Sequence, residues 1–223
     1  AAGRPLGVMV FEPHPRAVFR PDDVPFRLTS LDAKARLLSE LGVDVLFVLP
    51  FDRARSLTPA PAFISGILVG ALAVGHVVCG EGFMFGHQRE GDVALLRAAG
   101  QRFGVHEVAP SLRDGGARFS SSLVRSALRE ADLDGAAAIL GRHWSIEGLV
   151  ETGDRRGRTI GFPTANVALS DYLVPKRGVY AVRACVEAAH GDGPVLDGAA
   201  NVGVRPTLDG TRDSLEVHLL DFD

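Results

Sequence analysis

The chain has 223 residues, 46% of them hydrophobic and 23% charged, which is the make-up of an ordinary globular protein with room for one large or two small domains. A net charge of −3 with no basic block argues against a nucleic-acid partner, and no apolar run is long enough to span a membrane. Two cysteines, Cys79 and Cys185, match no zinc spacing; both sit in apolar runs, which predicts buried free thiols in a reducing cytoplasm.

In chain order, residues 6–11 form a nearly continuous apolar run, as in a strand buried on both faces. Pro13 and Pro15 end it, with His14 pinned between them, either at a phosphate or in an exposed loop. Thr29 or Ser30 can cap a helix reaching residue 41, with Gly42 at its end. A second strand is predicted over 45–49, a helix over 63–71, a strand over 76–79 and a glycine-rich turn over 80–86. A helix over 92–103, a strand over 105–108 and helices over 121–131 and 134–140 complete this half. Alternating strands and helices predict one parallel sheet with helices on both faces. Ligands in such sheets bind beyond the carboxyl ends of the strands. There, Ser121 and Ser122 open a helix whose N–H groups and dipole suit a phosphate, and Arg125 adds a charge one turn in.

After Gly141 the pattern changes to the alternation of short strands with Gly, Pro and Asp turns, which suggests an antiparallel barrel. Within it lies the stretch Gly157-Arg158-Thr159-Ile160-Gly161-Phe162-Pro163-Thr164-Ala165-Asn166. Gly157 and Gly161 let backbone amides approach an anion closely, and Pro163 stiffens the exit. Arg155, Arg156 and Arg158 read as a basic flap over phosphates. Thr164 and Asn166, two apart in an extended segment, offer neutral oxygens on one face, a set suited to Mg²⁺ beside a phosphate. No Walker loop occurs. Asn201 and Arg205 are weaker candidates that a tight turn would also explain.

The stretch 157–166 resembles the signature loop of riboflavin kinases. The resemblance continues through residues 178–182, Asn201-Val202-Gly203-Val204-Arg205-Pro206-Thr207, and Leu215-Glu216-Val217-His218-Leu219-Leu220-Asp221-Phe222. The first half is similar to the nucleotidyltransferase domain of prokaryotic bifunctional riboflavin kinase/FAD synthetases: Phe119-Ser120-Ser121-Ser122-Leu123-Val124-Arg125 follows that family's Ile-Ser-Ser-Thr-x-x-Arg block, departing at Phe119 and Ser122. Gly82 stands where the family carries a polar residue. The family's histidine-bearing front segment would precede Ala1, and a further helix would follow Asp223, so the sequence is expected to be a piece of something longer.

The resemblance implies an α/β nucleotidyltransferase domain with a Rossmann-like parallel sheet over 1–141, followed by a riboflavin kinase-like split barrel, a small antiparallel β-barrel, over 142–223. It implies ATP, riboflavin, FMN and FAD as substrates or products, and Mg²⁺ on Thr164 and Asn166. Arg156, Gly157, Arg158, Gly161, Phe162 and Pro163 would bind ATP. Glu216 would be the general base, and His14, Ser121, Ser122 and Arg125 would bind the nucleotide of the first domain. A single-function kinase with a degenerate first domain and a non-catalytic flavin-binding regulator are the alternatives. Homo-oligomer formation is left open.

Overall fold

A computed structural model describes residues 3–100, 102–112, 116, 118–151, 163–188, 191–207 and 210–222. The chain divides into two compact units, Ala1–Asp23 with Leu38–Phe119, and Val24–Leu37 with Ser120–Asp223.

Among the described residues the first unit holds four strands: β1 (Gly7–Glu12), β2 (Val45–Pro50), β3 (His76–Gly80) and β4 (Gly104–Val108). The expected single parallel sheet is seen as two parallel ladders, β1 with β2 and β3 with β4. Packing relates the two ladders: Met9 and Phe11 of β1, Val77 of β3 and Val105 of β4 all lie against one core. That core is built from Ala60, Phe63, Ile64, Leu68, Phe85 and Leu96 among others. Short helices α1 (Pro15–Phe19), α3 (Arg53–Ser56) and α4 (Ala60–Ala62) precede a π-helix over Phe63–Ala71, and α5 is Val93–Ala98. The wider π turn brings Phe63, Ile64 and Leu68 together as buried residues. Asp92 caps α5, its carboxylate accepting from Leu95 N–H at 2.8 Å. The helix stops at Ala98 rather than Phe103, because Gly100 N–H turns back onto the Arg97 carbonyl at 2.9 Å.

Helix α2 (Leu31–Glu40) runs across the division between the units. Ser30 caps it, its hydroxyl accepting from Ala33 N–H at 3.0 Å.

In the second unit, α6 (Ser121–Glu130) and α7 (Leu133–Leu140) close over Val124, Ala127, Leu128, Ala136 and Leu173. Gly141 ends α7 in the left-handed region at φ 72°, which glycine adopts without Cβ strain. The segment before α2 is fastened here. The Trp144 indole donates to Leu28 O at 2.8 Å, and the hydroxyl of buried Tyr172 accepts from Ser30 N–H at 3.0 Å and Glu147 N–H at 3.4 Å. Arg27 pairs with Asp171.

The remaining strands, β5 (Val150–Glu151), β6 (Ala165–Val167), β7 (Gly178–Ala188), β8 (Gly191–Thr207) and β9 (Gly210–Leu219), form one antiparallel sheet in the order β5-β6-β9-β8-β7. Among the described residues this is an open five-stranded sheet and not the closed barrel expected. Among the described residues β5 pairs only with β6 and β7 only with β8, so both stand at the sheet's edges. One face is sealed by Leu169, Ala200, Val202 and Leu215, with Ile146, Val167, Tyr180 and Val217 around them.

Of the two cysteines, Cys79 is buried as expected, whereas Cys185 is exposed. Cys185 lies on β7 in step with Ala181 and Arg183, opposite in parity to the inward Tyr180 and Val182, so the strand turns it outward. Reading its apolar run without that parity gave the wrong side.

Candidate functional site

The site follows from strand parity. Asn166 of β6 stands directly opposite Glu216 of β9, which stands opposite Asn201 of β8. Residues facing each other across a ladder project on the same side. On the next rung Val167, Leu215 and Val202 point the other way, into the core. The sheet thus carries one sealed face and one polar face, and β9, mixed on both sides as a sequence, is sorted by it: Leu215 and Val217 in, Glu216 and His218 out. At the polar row's end Glu151 of β5 opposes Asn166.

Thr164 immediately precedes β6 and shares the parity of Asn166. The β6–β9 ladder ends at Ala165 opposite Val217; one further step in that register sets Thr164 across from His218. A side-chain contact lies at that step. His218 Nδ1 is 2.8 Å from the Pro163 carbonyl oxygen. A carbonyl only accepts, so Nδ1 carries the hydrogen. Thr164, Asn166, Glu216 and His218 form a two-by-two block on one face.

Beside it, Arg205 donates from Nη1 to Asn166 Oδ1 at 3.5 Å, and Arg205 opposes Arg212 across the β8–β9 ladder. A groove of about 260 Å³ opens beside Asn166 and Arg205, lined by Glu151, Arg212 and Ser214 and also by Val167, Leu169 and Leu215 of the apolar face. Glu216 follows Ser214 by two residues along the same face. Arg212 lies 3.9 Å from Glu151.

Among the described residues no group of three or more His, Cys, Asp or Glu side chains could hold a metal. The neutral oxygens on offer are those of Thr164 and half-buried Asn166, with the Glu216 and Glu151 carboxylates on the strands either side of Asn166. Such a sparse set fits Mg²⁺, which takes few protein ligands and completes its shell with water and phosphate.

The other sequence candidates divide between the units. Arg156, Gly157, Arg158, Gly161 and Phe162 lie outside the described residues. His14 belongs to the first unit, where its Nδ1 accepts from Arg16 N–H at 3.1 Å and caps α1. Ser121, Ser122 and Arg125 belong to the second. There Ser120 is the cap, its hydroxyl accepting from Leu123 N–H at 3.3 Å, while Ser121 and Ser122 stand exposed in the first turn. Arg125 donates from Nε to Phe26 O at 2.8 Å and lies over the Phe26 ring at 5.4 Å, which fixes its guanidinium. Gly82 has φ 72°, a conformation that asparagine also tolerates.

Sequence reasoning passed over His218, although a signal was present: Thr164-x-Asn166 and Glu216-x-His218 are both polar pairs at strand spacing.

Residues 1–123 match the FAD synthetase family and residues 140–223 the riboflavin kinase family. A bifunctional riboflavin kinase/FMN adenylyltransferase of Escherichia coli (strain K12) is 46% identical over 218 residues, spanning 97% of this chain and 68% of that protein. The protein of the same description from Bacillus subtilis (strain 168) is 38% identical over 225 residues, spanning 99% and 69%. A crystal structure described as a macrolide-efflux protein from Streptococcus pneumoniae superposes with a TM-score of 0.79 at 28% identity, covering 98% of this chain and 70% of that one. In the present chain no helix among the described residues is long and apolar enough to cross a membrane.

Proposed function

The chain belongs to the bifunctional riboflavin kinase/FMN adenylyltransferase family, and we propose that it phosphorylates riboflavin with ATP to give FMN and adenylylates FMN with a second ATP to give FAD. The observation that carries the kinase reading is the pairing of Asn166 with Glu216, which sets an oxygen donor and a carboxylate side by side on the polar face.

In this reading Glu216 is the general base. The primary hydroxyl of riboflavin attacks the γ-phosphorus; the new O–P bond forms as the bond to the β-phosphate oxygen breaks, ADP leaves, and the hydroxyl proton passes to the Glu216 carboxylate. Thr164 and Asn166 would hold Mg²⁺, which would supply charge neutralisation at the transferring phosphoryl group. On sequence grounds alone, Gly157, Gly161 and Phe162 hold the phosphates through main-chain N–H groups, Pro163, which has no N–H, stiffens the end of that ATP loop, and Arg156 and Arg158 add positive charge. Such transfer depends mainly on alignment and charge neutralisation.

The adenylyltransferase function is assigned to residues 1–141 and the kinase function to 142–223. On sequence grounds alone, Ser121, Ser122 and Arg125 are nucleotide contacts, and His14 is separately a phosphate contact. The setting is cytoplasmic, with small-molecule partners.

The test is to incubate the protein with riboflavin, ATP and MgCl₂ and separate the flavins by chromatography. FMN followed by FAD is expected. Unchanged riboflavin with no ATP consumed would sink the kinase assignment; if FMN supplied with ATP and MgCl₂ in a parallel incubation also stays unchanged, the adenylyltransferase assignment falls too and a flavin-binding regulator is left. FMN without FAD would leave a single-function kinase, the reading that Gly82 favours by removing a polar contact from its turn.

A further inference from the structure

We propose that His218 is a positioning residue of the kinase site, setting the Thr164–Asn166 pair against Glu216 by holding the chain just before it. The inference rests on the kinase reading above. Strand β6 has three residues, Ala165–Val167, and its ladder with β9 ends at Ala165. Thr164 therefore lies one residue beyond the last backbone rung, where a strand end frays readily. The His218 ring extends the connection by a side chain, its Nδ1–H donating to the Pro163 carbonyl at 2.8 Å. Proline fixes φ at residue 163, so anchoring its carbonyl also restrains ψ, and with it the direction in which Thr164 leaves. The anchor stands on the strand of the proposed base, two residues from Glu216 on the same face. One strand thus positions both the base and the oxygen pair.

The ring does its work through the δ nitrogen, and that gives a sharp test. Asparagine carries an N–H donor at the δ position, matching Nδ1; glutamine carries its donor at the ε position, matching Nε2. In the intact protein, His218→Gln is expected to raise the MgATP concentration for half-maximal riboflavin phosphorylation by about 3- to 10-fold, the worth of one ordinary hydrogen bond. Its kcat should fall by less than about 3-fold, because Glu216 keeps its place in the β9 ladder. His218→Asn should stay within about 2-fold of the parent. Calorimetric titration with MgADP, which needs no turnover, should show the same order of affinities, and thermal melting checks that both variants fold.

The proposal falls if His218→Gln binds MgADP as the parent does, if His218→Asn is as weak as His218→Gln, or if glutamine rescues and asparagine does not. The last outcome would mean that Nε2 touches the nucleotide. A parent protein that neither binds MgADP nor phosphorylates riboflavin would instead overturn the kinase reading.

Discussion

The two faces of the β6–β9–β8 sheet differ by a single residue step, yet they do different things. On the inner face Val167, Leu215 and Val202 make one rung, sealed beneath Leu169 and Ala200. On the outer face the adjoining rung is Asn166, Glu216 and Asn201, half-buried or exposed. The inner rung stabilises by removing apolar surface from water. The outer rung is held in register by that packing and is left to carry chemistry. The period of two is what allows one short strand, β9, to serve both.

If the faces are separate in this sense, a change on one should leave the other intact. The largest effect is expected from Glu216→Ala. Removing a general base should cost roughly 10²–10⁴ in kinase turnover, with the melting temperature and MgADP affinity nearly unchanged. Steady-state assays beside thermal melts check this; full turnover in the variant would remove Glu216 from its role, and a collapsed melt would show the faces to be coupled.

The complementary change is Leu215→Ala. Leu215 is 7% exposed, and truncating such a leucine costs about 2–5 kcal/mol by lost transfer energy and a residual cavity. Urea denaturation should show that loss, while turnover per folded molecule stays within a few-fold of the parent. A tenfold drop in turnover of the folded variant would mean that the inner rung tunes the outer one.

A smaller loss is expected at the edge of the same unit. The Tyr172 hydroxyl, on a residue 2% exposed, accepts from two main-chain N–H groups, of Ser30 and Glu147. Tyr172→Phe leaves both donors without that acceptor, at a cost of about 1–3 kcal/mol. The same denaturation experiment measures it, and an unchanged midpoint would show that water replaces the hydroxyl.

These cases also show what the sequence could and could not reveal. The strands of the first unit and the cap at Ser30 are local matters that local patterns disclosed, whereas for the cap at Asp92 and the left-handed end at Gly141 the pattern marked only a helix start and a change of period. The Thr164-x-Asn166 and Glu216-x-His218 spacings held the parity of the polar face, though only the β6–β9 register shows that the two pairs meet. What stayed hidden depends on residues far apart in the chain. Ser30 and Tyr172 are 142 positions apart, and Arg125 and Phe26 are 99 apart; no local period joins them. Sheet closure likewise depends on which strands find each other, and alternation signals strands without naming their neighbours. Cys185 is the exception that was legible: its parity with Arg183 was present in the sequence, and composition was read in its place.

That cysteine supplies the mildest probe of the comparison, because it changes nothing in the fold. Cys185 lies on the outward side of β7, exposed, with its Sγ 3.1 Å from Gly193 O. Cys79 lies in the first unit's core. Burial holds the Cys79 thiol above its ordinary range, the Glu107 carboxylate adds to that, and Arg97 opposes it. The thiolate is the reactive form, so Cys79 is doubly protected, by access and by ionisation. A disulfide reagent at pH 8 should titrate one thiol promptly and the second only after denaturant is added. The sign of the pH effect follows from the same shift. Folded Cys79 keeps its proton where the unfolded chain begins to lose it, so its contribution to stability is fully present below the ordinary thiol range and is lost as pH rises through the folded value. Melting temperature should therefore fall less steeply in Cys79→Ala than in the parent across that alkaline window. Two thiols reacting at one rate in the native protein would show that the first unit's core opens as freely as the outer face of β7, and that burial there gives no protection.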